Sequence, residues 1–156
     1  MAIIKSIMKT DLHVANFGDS IATVSEKMGA HNEGAILVYN KGKLAGIFSE
    51  RDLLKRVISR QKDPASVKIE DVMTKDPITV KAGTHIRDCV KLVREKGFRH
   101  LPVVDENDVP IGIISTRDFL QYIVDALETL IDEADYKDKI EQGVDPYEFI
   151  GGSYNQ

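Results

Sequence analysis

The chain repeats itself, and that constrains its fold more than any other feature. Gly46-Ile47-Phe48-Ser49-Glu50-Arg51-Asp52-Leu53-Leu54 returns 66 residues later as Gly112-Ile113-Ile114-Ser115-Thr116-Arg117-Asp118-Phe119-Leu120. Upstream, Ser6-Ile7-Met8 pairs with Asp71-Val72-Met73, and Ala35-Ile36-Leu37-Val38-Tyr39 with His100-Leu101-Pro102-Val103-Val104, both at an offset of 65. The offset grows by one because Asn40–Ala45 is one residue shorter than Asp105–Ile111. Several matches in one order, at nearly one offset, mark a tandem duplication.

Each copy reads as β-α-β-β-α. Leu12 and Val14, like Ile78 and Val80, alternate as a short strand does. Asp19 or Ser20 in the first copy and Thr84 in the second are N-cap candidates for the helix that follows. Ile86, Cys89, Val90 and Val93 then fall on one helical face. Ala35–Tyr39 with Leu44–Phe48, and Leu101–Val104 with Ile111–Ile114, read as hairpins around turn-forming residues. A closing helix starts at Ser49 or Ser115.

A unit of about 60 residues buries only ~60% of its chain surface and is marginal alone. A three-stranded sheet with two helices on one face leaves its other face apolar and wet. Two copies solve this together, so the expected fold is α/β (α+β), with the repeats packed sheet to sheet about a pseudo-two-fold axis. The expected boundaries are 1–60 and 69–131 for the repeats, with 61–68 as a polar, Pro-containing linker. Residues 132–156 form an acidic tail with seven carboxylates against Lys137 and Lys139, and with Tyr136, Tyr147, Phe149 and Tyr154. That tail is read either as solvated or as an arm that docks its aromatics.

Charge excludes some functions. The net charge is −4, but residues 1–131 balance at +1, with 19 basic and 18 acidic side chains. No basic stripe runs along such a body, so nucleic acid is not an expected partner. The longest apolar run, Ala35–Tyr39, has five residues and cannot cross a bilayer. Met1-Ala2-Ile3-Ile4-Lys5 lacks a signal-peptide core, and a single cysteine, Cys89, fits a reducing compartment. The expectation is a cytoplasmic protein.

The chemistry-bearing motif follows each hairpin. Ser-x-x-Asp at a strand-to-helix junction is a near relative of the capping box, which accounts for both residues without any ligand. Two features point further. The motif occurs twice, each time after a glycine (Gly46, Gly112) that permits close backbone approach. Arg51 and Arg117 sit in the first helical turn, where the dipole disfavours a cation and an arriving phosphate would welcome one. An Asp at that position can take vicinal hydroxyls, as acidic residues do for ribose. The pattern therefore suggests a nucleotide, with phosphate toward Ser49 and Arg51 or Ser115 and Arg117, and ribose toward Asp52 or Asp118.

These residues resemble a tandem pair of CBS domains, the Bateman module, in its stand-alone bacterial or archaeal form. Asp71-Val72-Met73-Thr74, Pro77-Ile78-Thr79-Val80, Leu101-Pro102-Val103-Val104-Asp105 and Gly112–Asp118 carry the resemblance, which covers residues 3–125. It implies a regulatory module binding AMP, ADP, ATP, NAD or S-adenosylmethionine, with AMP first, and a homodimer that signals to a regulated protein. It also implies roles for particular residues. Asp52 and Asp118 match ribose positions, and Ser49, Arg51, Ser115, Thr116 and Arg117 match phosphate-side positions. Ile47 and Ile113 match apolar residues beside the base, with Leu12 and Ile78 as further adenine-wall candidates. Arg99 and His100 resemble a basic pair that faces phosphates.

The copies differ at these places. The first has Gly34-Ala35 where the second has Arg99-His100, and Glu50 where the second has Thr116. On that basis the site holding Asp118 is expected to bind the phosphorylated ligand better, while shared clefts leave open which site receives Arg99 and His100.

Other chemistry is not expected. His85 and Cys89 are spaced four apart with no further ligand pair nearby, so Cys89 reads as a core residue, and no metal site is expected. A Ser beside Arg and Asp without a base is not an activated nucleophile. The chain is expected to be a non-catalytic nucleotide sensor. The alternative is an interaction scaffold whose Ser-x-x-Asp motifs only cap helices.

Overall fold

The structure, a computed structural model, describes residues 2–143. Two compact units divide the chain, Met1–Thr116 and Arg117–Gln156. The first holds two sheets. Strands β1 (Val14–Asn16), β2 (Ala35–Asn40), β3 (Lys43–Ser49) and β4 (Thr74–Lys75) form one, in that order. Strands β5 (Val80–Lys81), β6 (His100–Val104) and β7 (Pro110–Ser115) form the other. In each sheet a parallel pair, β1 with β2 and β5 with β6, precedes an antiparallel hairpin. Helices α1 (Ile21–Ala30) and α3 (Ile86–Lys96) make the crossovers.

The β-α-β-β-α order expected for each repeat is present, with four departures. Strands β1 and β5 begin at Val14 and Val80, so Leu12 and Ile78 lie just ahead of them. Ser20 caps α1, its Oγ accepting from Thr23 N–H at 3.2 Å. Thr84 does not cap α3: His85 holds that position without a side-chain cap bond, while the Thr84 carbonyl accepts from Ile4 N–H at 2.8 Å. The closing helix of the first repeat is irregular. One α-turn, α2 (Glu50–Asp52), passes into a π-helical stretch (Leu53–Val57) and a 3-10 turn (Ile58–Arg60).

The fourth departure is an exchange of edges between the repeats. Strand β4, from the lead-in to the second repeat, pairs with β3 of the first, Thr74 opposite Ile47 and Lys75 opposite Gly46. In return, Lys9 bridges Ile113 of β7, and Ile3 bridges His85. The core follows this exchange: Ile69, Val72 and Met73 are buried with Ala15, Ile21, Val24, Ile36, Val38 and Phe48. Hydrophobic burial at ~25 cal/mol per Å² holds the halves together better than either copy could hold itself. Residues 61–68 are not a loose tether, because the Val67 and Pro64 carbonyls accept from Ile21 and Ala22 N–H at 3.0 and 2.9 Å. They satisfy donors that a helix start leaves unpaired.

The second unit is carried by α4 (Thr116–Glu141), which spans the expected boundary at residue 131 without a break. Lys139 pairs with Asp135 at 2.7 Å, four residues apart, as helical geometry favours. Gly143, at φ 72°, follows its end. Tyr147, Phe149 and Tyr154 lie outside the described residues, while Tyr136 falls within α4.

Candidate functional site

The site is built where β3 runs into α2. Ser49 leaves the sheet in an extended conformation and caps the turn, so the capping-box geometry expected of Ser-x-x-Asp is formed in full. Ser49 Oγ accepts from Asp52 N–H at 3.3 Å, and Asp52 Oδ2 accepts from Ser49 N–H at 2.9 Å and from Ser49 Oγ–H at 2.8 Å. Asp52 Oδ1 meets Arg56 Nη2 at 3.2 Å. A carboxylate offers about four lone-pair sites. Ser49 and Arg56 occupy three of them, so the cap does not exhaust Asp52.

Beside this turn lies a cleft of about 400 Å³. Ile47, Ser49, Arg51, Asp52, Lys55 and Arg56 line one side of it, with Thr74, Asp76, Pro77 and Ile78 from the exchanged segment. Lys96, Gly97, Phe98, Arg99, His100 and Pro102 close it from the second repeat. Five permanent cations (Arg51, Lys55, Arg56, Lys96, Arg99) face three carboxylates (Glu50, Asp52, Asp76) around an apolar floor. Such a cleft is at the small end of ligand sites, which run ~300–1,000 Å³. Arg51 is held across it, its Nη1 donating to Gly97 O at 3.4 Å. Asp52 is the sheltered group, its side chain 16% exposed.

A matching backbone contact occurs within each repeat here. Glu50 N–H donates to Gly34 O at 3.0 Å, and Thr116 N–H donates to Arg99 O at 2.9 Å. Gly34 also abuts His100: a Cβ on Gly34 would stand 3.1 Å from the imidazole Nε2. The small residue of the first copy thus makes room for the basic pair of the second.

Of the residues expected from sequence, Ile47, Ser49, Arg51, Asp52, Ile78, Arg99 and His100 converge on this single cleft. Leu12, Ile113, Ser115 and Thr116 belong to the first unit but do not line it. Arg117 and Asp118 fall in the second unit, so their expected role rests on sequence alone. Arg99 and His100 stand with Asp52, which bears on one of the two grounds for expecting the stronger anion site at Asp118; the other, Glu50, also lines this cleft. Sequence reading missed Lys55, Arg56, Lys96, Thr74, Asp76 and Pro77. The cations carried no motif, and the segment at Thr74–Pro77 reaches the cleft only through the edge exchange.

A CBS-domain family model matches residues 4–59 and again residues 69–125. The chain belongs to the CBS-domain family. An uncharacterized protein of Methanopyrus kandleri is 34% identical to this CBS protein over 126 residues, spanning 78% of this chain and 64% of its relative. A conserved CBS domain protein of unknown function from Thermoplasma acidophilum superposes with a TM-score of 0.74 at 27% identity, covering 78% of this chain and 68% of that one. Another CBS domain pair, crystallised in complex with 5′-methylthioadenosine and S-adenosyl-L-methionine, shares the fold at a TM-score of 0.73 and 22% identity, over 81% of this chain and 98% of its own. Among the described residues of this CBS pair, no cluster of three or more His, Cys, Asp or Glu side chains is suited to a metal ion. None of the described helices is long and apolar enough to cross a membrane.

Proposed function

We propose that this CBS pair is a regulatory, non-catalytic module that binds an adenine nucleotide in the Asp52 cleft. AMP is the preferred ligand, with ADP, ATP and NAD as relatives of the same chemistry. The observation that carries this reading is the convergence of one sheltered carboxylate, five cations and an apolar floor on a single cleft. Ile47, Pro77 and Ile78 offer the base a hydrophobic surface, and Asp52 offers the ribose a hydroxyl acceptor. Arg51, Arg99 and their neighbouring lysines offer the phosphate charge-assisted donors.

The charge balance also ranks ligands. Five cations against three carboxylates leave the cleft positive, which complements a phosphate ester carrying about −1.5 to −2 at neutral pH. A sulfonium compound such as S-adenosylmethionine meets the same field with the wrong sign at its sulfur. The proposed mechanism is population shift, in which a ligand touching both repeats favours one arrangement and a partner protein reads it. A cytoplasmic homodimer is the proposed assembly, and Leu54 and Ile58 are apolar and exposed on the first unit. The scaffold reading retains one supporting observation, since the capping box is complete without a ligand.

A thermal-shift panel with AMP, ADP, ATP, NAD and S-adenosylmethionine separates the two. A ligand at a hundred times its Kd adds ~2.7 kcal/mol, which raises Tm by roughly 5–10 °C for a chain of this size. AMP is expected to do so and S-adenosylmethionine to do less. A flat response to all five favours the scaffold.

A further inference from the structure

Arg56 ties Asp52 to the exchanged segment. Its Nη1 donates to the Val72 carbonyl at 2.7 Å, and its Nη2 donates to Thr74 Oγ1 at 3.1 Å while meeting Asp52 Oδ1 at 3.2 Å. Val72 and Met73 are buried in the first repeat's core, and Thr74 pairs with Ile47 at the cleft. One guanidinium therefore holds the ligand-facing carboxylate and the segment that crosses between repeats. Its rigid fork suits this triple contact, whereas a lysine ammonium is a single point charge.

The two copies differ in sequence at this place. The counterpart of Arg56, 66 residues on, is Tyr122, which has no cation to offer a carboxylate. Arg56 also lies within the π-helical stretch Leu53–Val57, and the second repeat has regular helix at the matching place. Such π-turns are frequent at functional sites.

We infer that Arg56 is a positioning residue that couples occupancy of the Asp52 cleft to the Val72–Thr74 segment. This rests on the nucleotide reading above. The lone-pair site left on Asp52 is on Oδ1, so a first ribose hydroxyl shares that oxygen with Arg56 Nη2 and the vicinal one competes with it. As that ion pair weakens, the guanidinium's hold on Thr74 and Val72 changes, and strand β4 responds. Tyr122, at the place of Arg56 in the second repeat, offers no guanidinium, so Met8, the first copy's match to Met73, serves as the internal reference.

Methionine methyl NMR tests this, because Met73 reports on the coupled segment and Met8 on its counterpart. AMP is expected to shift the Met73 methyl at least threefold more than the Met8 methyl. In Arg56→Lys, compared with the unaltered protein at saturating AMP, the Met73 shift falls to the Met8 level. Thr74→Val, which removes one contact and leaves the ion pair, gives an intermediate shift. Unchanged melting temperatures in both variants confirm that they fold. A Met73 response that survives in Arg56→Lys overturns the coupling. So does a Met73 response no larger than the Met8 response in the unaltered protein. Absence of AMP binding to the unaltered protein is a separate result that rejects the nucleotide reading itself.

Discussion

Met73 fills the space that a side chain on Gly46 would need. A Cβ at Gly46 would collide with the Met73 sulfur and stand 2.8 Å from the Thr74 carbonyl oxygen. The other repeat has the same arrangement, since a Cβ on Gly112 would stand 2.6 Å from Met8 Sδ and 2.9 Å from the Lys9 carbonyl oxygen. These two glycines mark where each repeat's hairpin meets the other's lead-in. The exchange of edges is thus written twice, in pseudo-symmetry.

Gly46→Ala is expected to destabilise the fold by about 1–3 kcal/mol, the usual range for forcing an extra carbon into a packed contact. Urea denaturation measures it. Shortening Met73 to alanine in the same chain recovers only part, because the Thr74 carbonyl still blocks the new carbon. A neutral Gly46→Ala would mean that the lead-in is not held against β3.

Ile69 is fully buried in a core made chiefly by the other repeat. Ile69→Ala is expected to cost about 2–5 kcal/mol. A chain cut after Arg60 is expected to lack a cooperative melting transition, because it loses Ile69, Val72 and Met73 together. Circular dichroism on heating distinguishes this from a self-sufficient first repeat.

Asp52→Ala is expected to weaken AMP binding by at least tenfold, as loss of hydrogen bonds to a charged acceptor typically costs ~1.5–3 kcal/mol. It should also cost ~1 kcal/mol of stability through the lost cap, so affinity is measured by calorimetry well below the melting range. Asp118→Ala is expected to have the smaller effect on affinity. The reverse order would restore the assignment that the sequence favoured, with the principal site at Asp118.

Cys89 is fully buried in α3, and burial, helped by nearby Asp88, pushes its thiol up to about 11. The unfolded chain releases that proton near pH 9, so between about pH 9 and 11 the unfolded state holds fewer protons than the folded one. The Cys89 contribution to stability is therefore complete below pH 9 and is lost as the pH rises toward 11. Cys89→Val, which installs the residue that the first copy has at Val24, should flatten this part of the stability–pH curve relative to the unaltered protein. At neutral pH native Cys89 should react with thiol reagents far more slowly than the denatured chain.

The sequence by itself determined the duplication, the β-α-β-β-α order, the hairpins and the Ser49–Asp52 cap. All of these are carried by contacts between residues a few positions apart, or by a comparison of the chain with itself. Periodicity and turn chemistry are local, so they can be read without coordinates. Seven of the expected binding residues also meet in one cleft, because they flank recognisable strand ends.

Tertiary structure alone decided which residues belong to the same site. Arg99 and His100 join Asp52 in one cleft, and Thr74, Pro77 and Ile78 reach it from beyond the linker. Lys55, Arg56 and Lys96 carry no motif, and only the fold sets them on one cleft. The physical reason is the edge exchange: neither repeat can cover its own sheet, so each borrows the other's lead-in. That burial is a long-range requirement, and no short segment of the chain records which surface will meet it.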